Sequence, residues 1–180
     1  SLVKALEEKD VYTAGHSERV AKYAVDLCMR LNLPEAYIDT VKKAALLHDI
    51  GKIAIPDKVL RKKGELTAEE REQMNKHPLE AIRILEPASF LAETHPLILH
   101  HHEHYDGRGY PHGLSGERIP LGARIIAIAD AYDAMTSGRT YNISKETKDA
   151  LSTLQSVSGK HFDPNLLEKF IEMIKENTHL

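Results

Sequence analysis

Apolar residues recur at helical spacing along most of this chain, and no stretch has the two-residue alternation of a convincing strand. Between His16 and Leu31 the apolar positions fall three or four residues apart, which is the period of one helix face. Similar patterns, with their capping and proline signals, predict the other helices at 1–10, 34–49, 67 onward, 77–87, 121–135, 145–155 and 166–175. The sequence therefore predicts an all-α fold, a bundle of about seven helices.

The stretch His48-Asp49-Ile50-Gly51-Lys52 carries more chemistry than any other five residues. His48 and Asp49 lie at the end of the predicted helix 34–49, which we expect Gly51 to end. Two polar groups at the end of an apolar segment destabilise the fold unless they have partners. A metal ion would satisfy both, and a carboxylate can bridge two metals. Lys52 is within reach of an anionic ligand.

Other ligand-type residues lie at predicted helix ends or within apolar runs. The chain has 11 histidines but no tryptophan and three phenylalanines, and histidine is the commonest metal ligand. The seven candidate ligands are His16, His48, Asp49, His77, His101, His102 and Asp130. Neighbouring residues on a helix point about 100° apart, so only two histidines of the run 100–104 should reach one cluster. The histidines expected to face solvent or to support the ligands are His95, His100, His104, His112, His161 and His179.

Length and charge restrict the class of protein. The 180 residues fit one domain with a proper core. A net charge of −3 without a long basic run argues against DNA binding. No apolar run approaches the roughly 18 residues of a membrane span, and no signal peptide is visible. A cytoplasmic location is the default expectation.

A few other polar or reactive residues are expected to be structural. We expect pairing with helix ends or with each other for Arg19, Arg124 and Asp133, and burial for Cys28.

Two motifs identify a family resemblance. The order of His16, His48-Asp49 and Asp130 resembles the HD superfamily of metal-dependent phosphohydrolases. The stretch HHEHYDGRGYP, residues 101–111, together with HDIGK resembles the HD-GYP family over residues 13–180. This resemblance implies an HD-domain helical bundle with an inserted GYP loop. It also implies hydrolysis of the bacterial messenger cyclic di-GMP to pGpG, and onward to GMP in some members, by a hydroxide that bridges the metals.

The resemblance also implies roles for individual residues, beginning with two divalent metals, most often iron or manganese. Nitrogen and oxygen ligands without thiolate suit nickel or zinc as well. The implied ligands of the first metal are His16, His48, Asp49 and Asp130. Those of the second are Asp49, His77, His101 and His102, so Asp49 would be the bridge. The implied catalytic residues are Asp49 and Lys52, and the implied substrate contacts are Lys52, Gly109, Tyr110 and Arg139.

Two positions differ from the family pattern. Tyr12 stands where members with three metals have a glutamate, which predicts two metals here. Asn142 stands where many members have a basic residue, which predicts a weaker contact with phosphate.

The resemblance implies partners as well as chemistry. Cyclic di-GMP is the expected substrate, with GGDEF-domain proteins and a second copy of the chain as candidate protein partners. One interpretation of residues 1–12 is a linker helix from a sensory or receiver domain absent from this chain. Two alternative functions are a non-catalytic module that binds a cyclic dinucleotide or a partner, and a phosphohydrolase of another nucleotide.

Overall fold

α-Helices form nearly all of the regular structure in the computed structural model, which describes residues 15–137 and 147–178. The nine α-helices of these ranges are α1 (His16–Arg30), α2 (Glu35–Leu47), α3 (Asp57–Leu60), α4 (Ala68–Met74), α5 (His77–Leu85), α6 (His95–Leu99), α7 (Leu121–Thr136), α8 (Thr147–Ser156) and α9 (Pro164–Thr178). The three short 3-10 helices are Ile50–Ala54, Ser89–Thr94 and Gly116–Arg118. In the described part of the chain, β pairing is limited to two isolated bridges. The predicted all-α class is confirmed.

Helix α7 forms the centre of the bundle. Its residues Ile125, Ile126, Ile128 and Ala129 have no exposed surface, which agrees with a run that is apolar on all sides. Helix α1 packs against α2 and α7. The last two helices of the described chain, α8 and α9, also pack on α7. Cys28 is also fully buried in this core, and burial raises the pKa of its thiol to about 11. The thiol is therefore protonated at neutral pH and serves as a small apolar side chain.

Local sequence signals set several helix ends. Thr67 and Glu70 form a reciprocal capping box at the start of α4, where the sequence predicted a helix from residue 67 onward. At the start of α9, an Asp163 carboxylate oxygen accepts the backbone N–H groups of Asn165 and Leu166. Arg124 of α7 pairs with the same aspartate. This contact joins the central helix to the last one.

Residues 48–60 are more regular than the sequence suggested. Helix α2 ends at Leu47, and Asp49 precedes the 3-10 helix Ile50–Ala54. Residues 52–66, between the predicted helices 34–49 and 67 onward, contain the end of that 3-10 helix and the four-residue helix α3. Such single turns are too short for apolar periodicity to reveal them.

Among the helices in the described ranges, none combines the length and the apolar character that a membrane crossing requires. The predicted linker helix at 1–12 lies outside these ranges.

Candidate metal centre

Two groups of ligand-type side chains meet at Asp49. One group is His16, His48 and Asp49, and the other is Asp49, His77, His101 and His102. Within each group, the ligand atoms all lie within 4.8 Å of one another. The seventh candidate, Asp130 of α7, adjoins the first group. Its Oδ1 lies 3.2 Å from Nε2 of His16 and 4.0 Å from Nε2 of His48. The fold therefore brings together all seven residues that the sequence singled out.

The carboxylate of Asp49 faces both groups at once. Its Oδ2 lies 3.5 Å from Nε2 of His48 and 3.9 Å from Nε2 of His16. Its Oδ1 lies 3.5 Å from Nε2 of His77. Each oxygen is thus directed to a different set of imidazoles, which is the arrangement that a bridging carboxylate needs.

A close backbone approach at Gly51 brings Asp49 next to His77. A Cβ at position 51 would lie 1.8 Å from the carbonyl oxygen of His77 and 2.5 Å from the backbone nitrogen of Ala81. Only glycine allows the 3-10 helix after Asp49 to pack this closely on α5. This contact joins the two groups into one centre.

Three of the histidines are oriented by the same local device. In each, Nδ1 lies within hydrogen-bond distance of the carbonyl oxygen three residues earlier. These pairs are His48 with Ala45 at 2.7 Å, His77 with Met74 at 2.9 Å and His101 with Ile98 at 2.6 Å. A carbonyl can only accept, so Nδ1 carries the proton and the Nε2 lone pair points into the centre.

His48 supplies a direct test of whether a metal fits here. Its side chain is fully buried, and its Nε2 has no hydrogen-bond partner among the residues that the structure describes. Buried polar atoms are rarely left without partners because the loss of hydration is costly. A divalent metal would complete the coordination of this atom, and imidazole and carboxylate are ligands that such metals accept. The residues present therefore fit a metal.

The protonation states also suit metal binding. Burial lowers the pKa of His77 to about 4 and that of His102 to about 3, and it holds that of His101 well below its usual range. All three imidazoles are neutral at pH 7, which is the form that binds metals. Burial by itself raises the pKa of Asp49, but the ammonium group of Lys52 is the largest of the opposing influences, which together hold this pKa well below its ordinary value. Asp49 is therefore ionised.

Asp133 is a part of the centre for which the sequence gave no functional role. Its side chain has no exposed surface, and its Oδ2 accepts the Nδ1–H of His16 at 2.7 Å. Arg19 donates from Nε to the other oxygen of Asp133, also at 2.7 Å. The expected pairing of Arg19 with Asp133 is present, and it also orients His16. The signal for this role in the sequence was the position of Asp133, three residues after Asp130 in the apolar segment that forms α7.

The loop after His102 packs against the centre through Tyr110. The Tyr110 ring stacks on His102, with centroids 5.0 Å apart and planes 28° from parallel. Burial raises the pKa of Tyr110 far above neutrality, so the phenol keeps its proton. A Cβ at Gly109 would lie 2.2 Å from the backbone nitrogen of His104, so only glycine lets the loop pack here.

Lys52 contacts the carboxylate of Asp49 directly. Its Nζ lies 2.7 Å from Oδ2 of Asp49, and its side chain is largely buried. An open cleft of about 180 Å³ lies beside the centre, where α7 meets the loop and the turn before α9. Its lining includes His102, His104, Asp130, Ala131, His161 and Phe162. The other positions that the resemblance singled out, Tyr12, Arg139 and Asn142, lie outside the described residues, as does His179.

Comparison with known proteins adds independent information. The HD domain family model matches residues 1–166. A curated cyclic di-GMP phosphodiesterase of Thermotoga maritima is 40% identical over 174 residues, which cover 96% of this chain and 47% of the relative. A 3′3′-cGAMP-specific phosphodiesterase 2 of Vibrio cholerae is 37% identical over 174 residues, which cover 96% of this chain and 33% of the relative. The chain spans less than half the length of both.

A solved structure has the same architecture. The crystal structure of a cyclic GMP-AMP-specific phosphodiesterase of Vibrio cholerae (V-cGAP3) matches with a TM-score of 0.77. The match covers 99% of this chain and 48% of the other at 23% identity, and this likeness concerns the fold alone. It confirms the predicted helical bundle.

Proposed function

Because this chain belongs to the HD domain family, as its HD-GYP motifs predicted, we propose that it is a metal-dependent phosphodiesterase that hydrolyses cyclic di-GMP to pGpG. The observation that carries the proposal is the position of Asp49, whose two carboxylate oxygens face different groups of buried histidines. The Thermotoga maritima relative is named as a cyclic di-GMP phosphodiesterase, which supports cyclic di-GMP as the substrate. Further hydrolysis to GMP is a second step that the same centre could carry out.

The proposed centre holds two divalent metals, iron or manganese first, with nickel or zinc as alternatives. The first would be held by His16, His48, Asp49 and Asp130, and the second by Asp49, His77, His101 and His102. Two such metals carry a charge of +4, and the two aspartates return −2, so the net charge matches two phosphodiester groups. When bound, the metals would supply a water-derived nucleophile at neutral pH and stabilise the charge of the reacting phosphate.

Several side chains around the centre suit the handling of a phosphodiester. The ammonium group of Lys52 is fixed within hydrogen-bond distance of Asp49, and from there it would neutralise charge that develops on phosphorus. The protonated phenol of Tyr110 can donate a hydrogen bond to a phosphate oxygen. Gly109 keeps the loop close enough for this contact. We assign Arg139 a phosphate contact from its match to the family motif alone.

A second candidate substrate is 3′3′-cGAMP. The support is the Vibrio cholerae relative, which is named as specific for that dinucleotide and whose identity to this chain is nearly as high. Both substrates have two phosphodiester bonds, so the same metal centre serves either one. The bases are the part of the substrate that distinguishes them.

A non-catalytic binding module is the less favoured alternative. All seven candidate ligands are present, and their side chains converge. Binding without turnover would not require a carboxylate directed to two groups of imidazoles.

The test is product chromatography after incubation of the metal-loaded protein with cyclic di-GMP, 3′3′-cGAMP and other nucleotides. We expect pGpG from cyclic di-GMP. The Asp49→Ala variant should lose both metal and turnover, while Asp39→Ala, at an exposed position of α2, should match the wild type. Turnover that persisted in Asp49→Ala would contradict the proposed centre. Absence of turnover with cyclic di-GMP in the metal-loaded wild type would contradict the substrate.

The wider context of this chain is also a proposal. We infer a cytoplasmic protein with an N-terminal sensory or receiver domain beyond this chain, and with GGDEF-domain proteins or a second copy as partners. The greater length of the matched relatives supports a further domain.

A further inference from the structure

A third group of ligand-type side chains lies outside the two that share Asp49. It consists of His100, Glu103 and His112, whose ligand atoms all lie within 4.8 Å of one another. Nε2 of His100 is 3.1 Å from Nδ1 of His112. The sequence gave these histidines no more than a solvent-facing or supporting role, because His112 is twelve residues away along the chain.

The tautomer of His100 matches that of the histidines in the main centre. Its Nδ1 lies 2.8 Å from the carbonyl oxygen of Pro96, which can only accept a hydrogen bond. Nδ1 therefore carries the proton in the neutral ring, and the lone pair of Nε2 points toward His112. An imidazole held by a backbone carbonyl in this way is prepared to bind a metal through its other nitrogen.

Glu103 contributes the carboxylate of a buried residue, whose surface is only 3% exposed. One of its oxygens accepts the backbone N–H of His112 at 2.8 Å, and the other accepts that of Leu114 at 3.1 Å. These bonds fix the carboxylate and leave lone pairs on both oxygens. Within the described ranges Glu103 makes no ion pair. A cation at this position would compensate its charge.

We propose that His100, Glu103 and His112 form an accessory site for a divalent transition metal such as Zn²⁺, separate from the centre around Asp49. Two nitrogens bound to one tetrahedral zinc at about 2.0–2.1 Å are roughly 3.3 Å apart, close to the separation of the two histidines. The remaining coordination position is open to water. Since His112 is exposed and His100 is half-buried, an ion can reach the site from solvent.

The position of the site gives it a structural consequence. His112 follows Tyr110-Pro111, and His100 directly precedes the candidate ligand His101. A metal held by both histidines would fasten the loop that carries Tyr110 to the end of α6. The ring of Tyr110 would thereby be held against His102, on the face where the substrate is proposed to bind. The accessory metal would order this loop without entering the main centre.

Metal stoichiometry tests the site independently of activity. The full chain is dialysed against excess Zn²⁺ and separated from free ion, and the ratio of zinc to protein is measured for the wild type and its variants. The wild type should hold one more zinc per chain than His112→Ala or His100→Ala. His161→Ala removes a different exposed histidine and should retain the wild-type ratio. Circular dichroism of each variant checks that the helices are intact.

Crystals grown with zinc give the position of the ion. We expect an anomalous difference peak within about 2.3 Å of Nε2 of His100 and Nδ1 of His112. Unchanged stoichiometry in both histidine variants would overturn the proposal, and so would zinc peaks confined to the groups around Asp49. In that case the two histidines would be joined only by a hydrogen bond.

Discussion

Asp133 holds His16 from inside the core, with 2.7 Å between Oδ2 of the aspartate and Nδ1 of the imidazole. Both side chains are almost completely buried. The contact fixes the tautomer of His16 and turns its Nε2 toward Asp130, 3.2 Å away. Arg19 compensates the charge of the aspartate, so the buried carboxylate is stable there. A residue that touches no proposed metal therefore orients one of the candidate ligands.

Replacement of Asp133 should weaken metal binding. In Asp133→Asn the amide cannot serve both His16 and Arg19 as the carboxylate does, because one of its two polar atoms is a donor. We expect metal affinity to fall by about 10–100-fold, the usual effect of removing such a support. Competition with a chelator measures it. Ser137→Ala is the matched control, since it removes one hydrogen bond to Asp133 but leaves the contact with His16. Equal affinities in both variants would contradict this role.

Lys52 should affect turnover more than metal content. We expect Lys52→Met to lower kcat by about 100-fold, as in the loss of one charge-stabilising group from an active site. The metals themselves would compensate the charge of Asp49, so the metal content should stay near that of the wild type. Steady-state kinetics and elemental analysis give the two quantities. Lys58→Met, at an exposed position of α3, should change neither. Loss of metal in parallel with kcat would show that Lys52 acts through the ligands.

Gly51 should tolerate no side chain. The Cβ of Gly51→Ala would overlap the carbonyl of His77, and backbone atoms cannot move aside as a flexible side chain can. Overpacking of this kind typically costs about 1–3 kcal/mol, and it would also separate Asp49 from His77. We expect lower thermal stability together with reduced metal content. Gly64→Ala is the comparison, because a Cβ there meets nothing within 4 Å and only its backbone conformation is strained. That variant should lose some stability and keep its metal.

The metal-free protein should lose stability as the pH falls below neutrality. Burial lowers the pKa of His77 from 6.5 to about 4. Between these two pH values, His77 is protonated in the unfolded chain but neutral in the folded chain. The free energy of unfolding therefore decreases as the pH falls through this window, by about 3 kcal/mol in full for this residue. Urea denaturation across the window should give a shallower pH dependence for His77→Asn than for the wild type. Parallel curves would contradict the shift.

The sequence by itself determined the features that depend on neighbours along the chain. Apolar periodicity located α1, α2 and α7, and the Thr67 capping box located the start of α4, because each signal lies within one or two helical turns. The histidines and aspartates that the motifs singled out also follow from residue type and order alone.

Only the tertiary structure decided how these side chains meet. His16 and Asp133 are 117 positions apart, so their contact exists only because α1 packs on α7. Of the four histidines between 100 and 104, two face the centre, whereas His100 turns to His112 and His104 stacks on His161 with centroids 4.1 Å apart. The direction of each ring depends on where α6 ends and on what the following loop packs against. The position of Asp49 between its two groups of histidines likewise depends on the close approach of Gly51 to the backbone of α5. A contact of this kind, between two different helices, leaves no periodic pattern in the sequence.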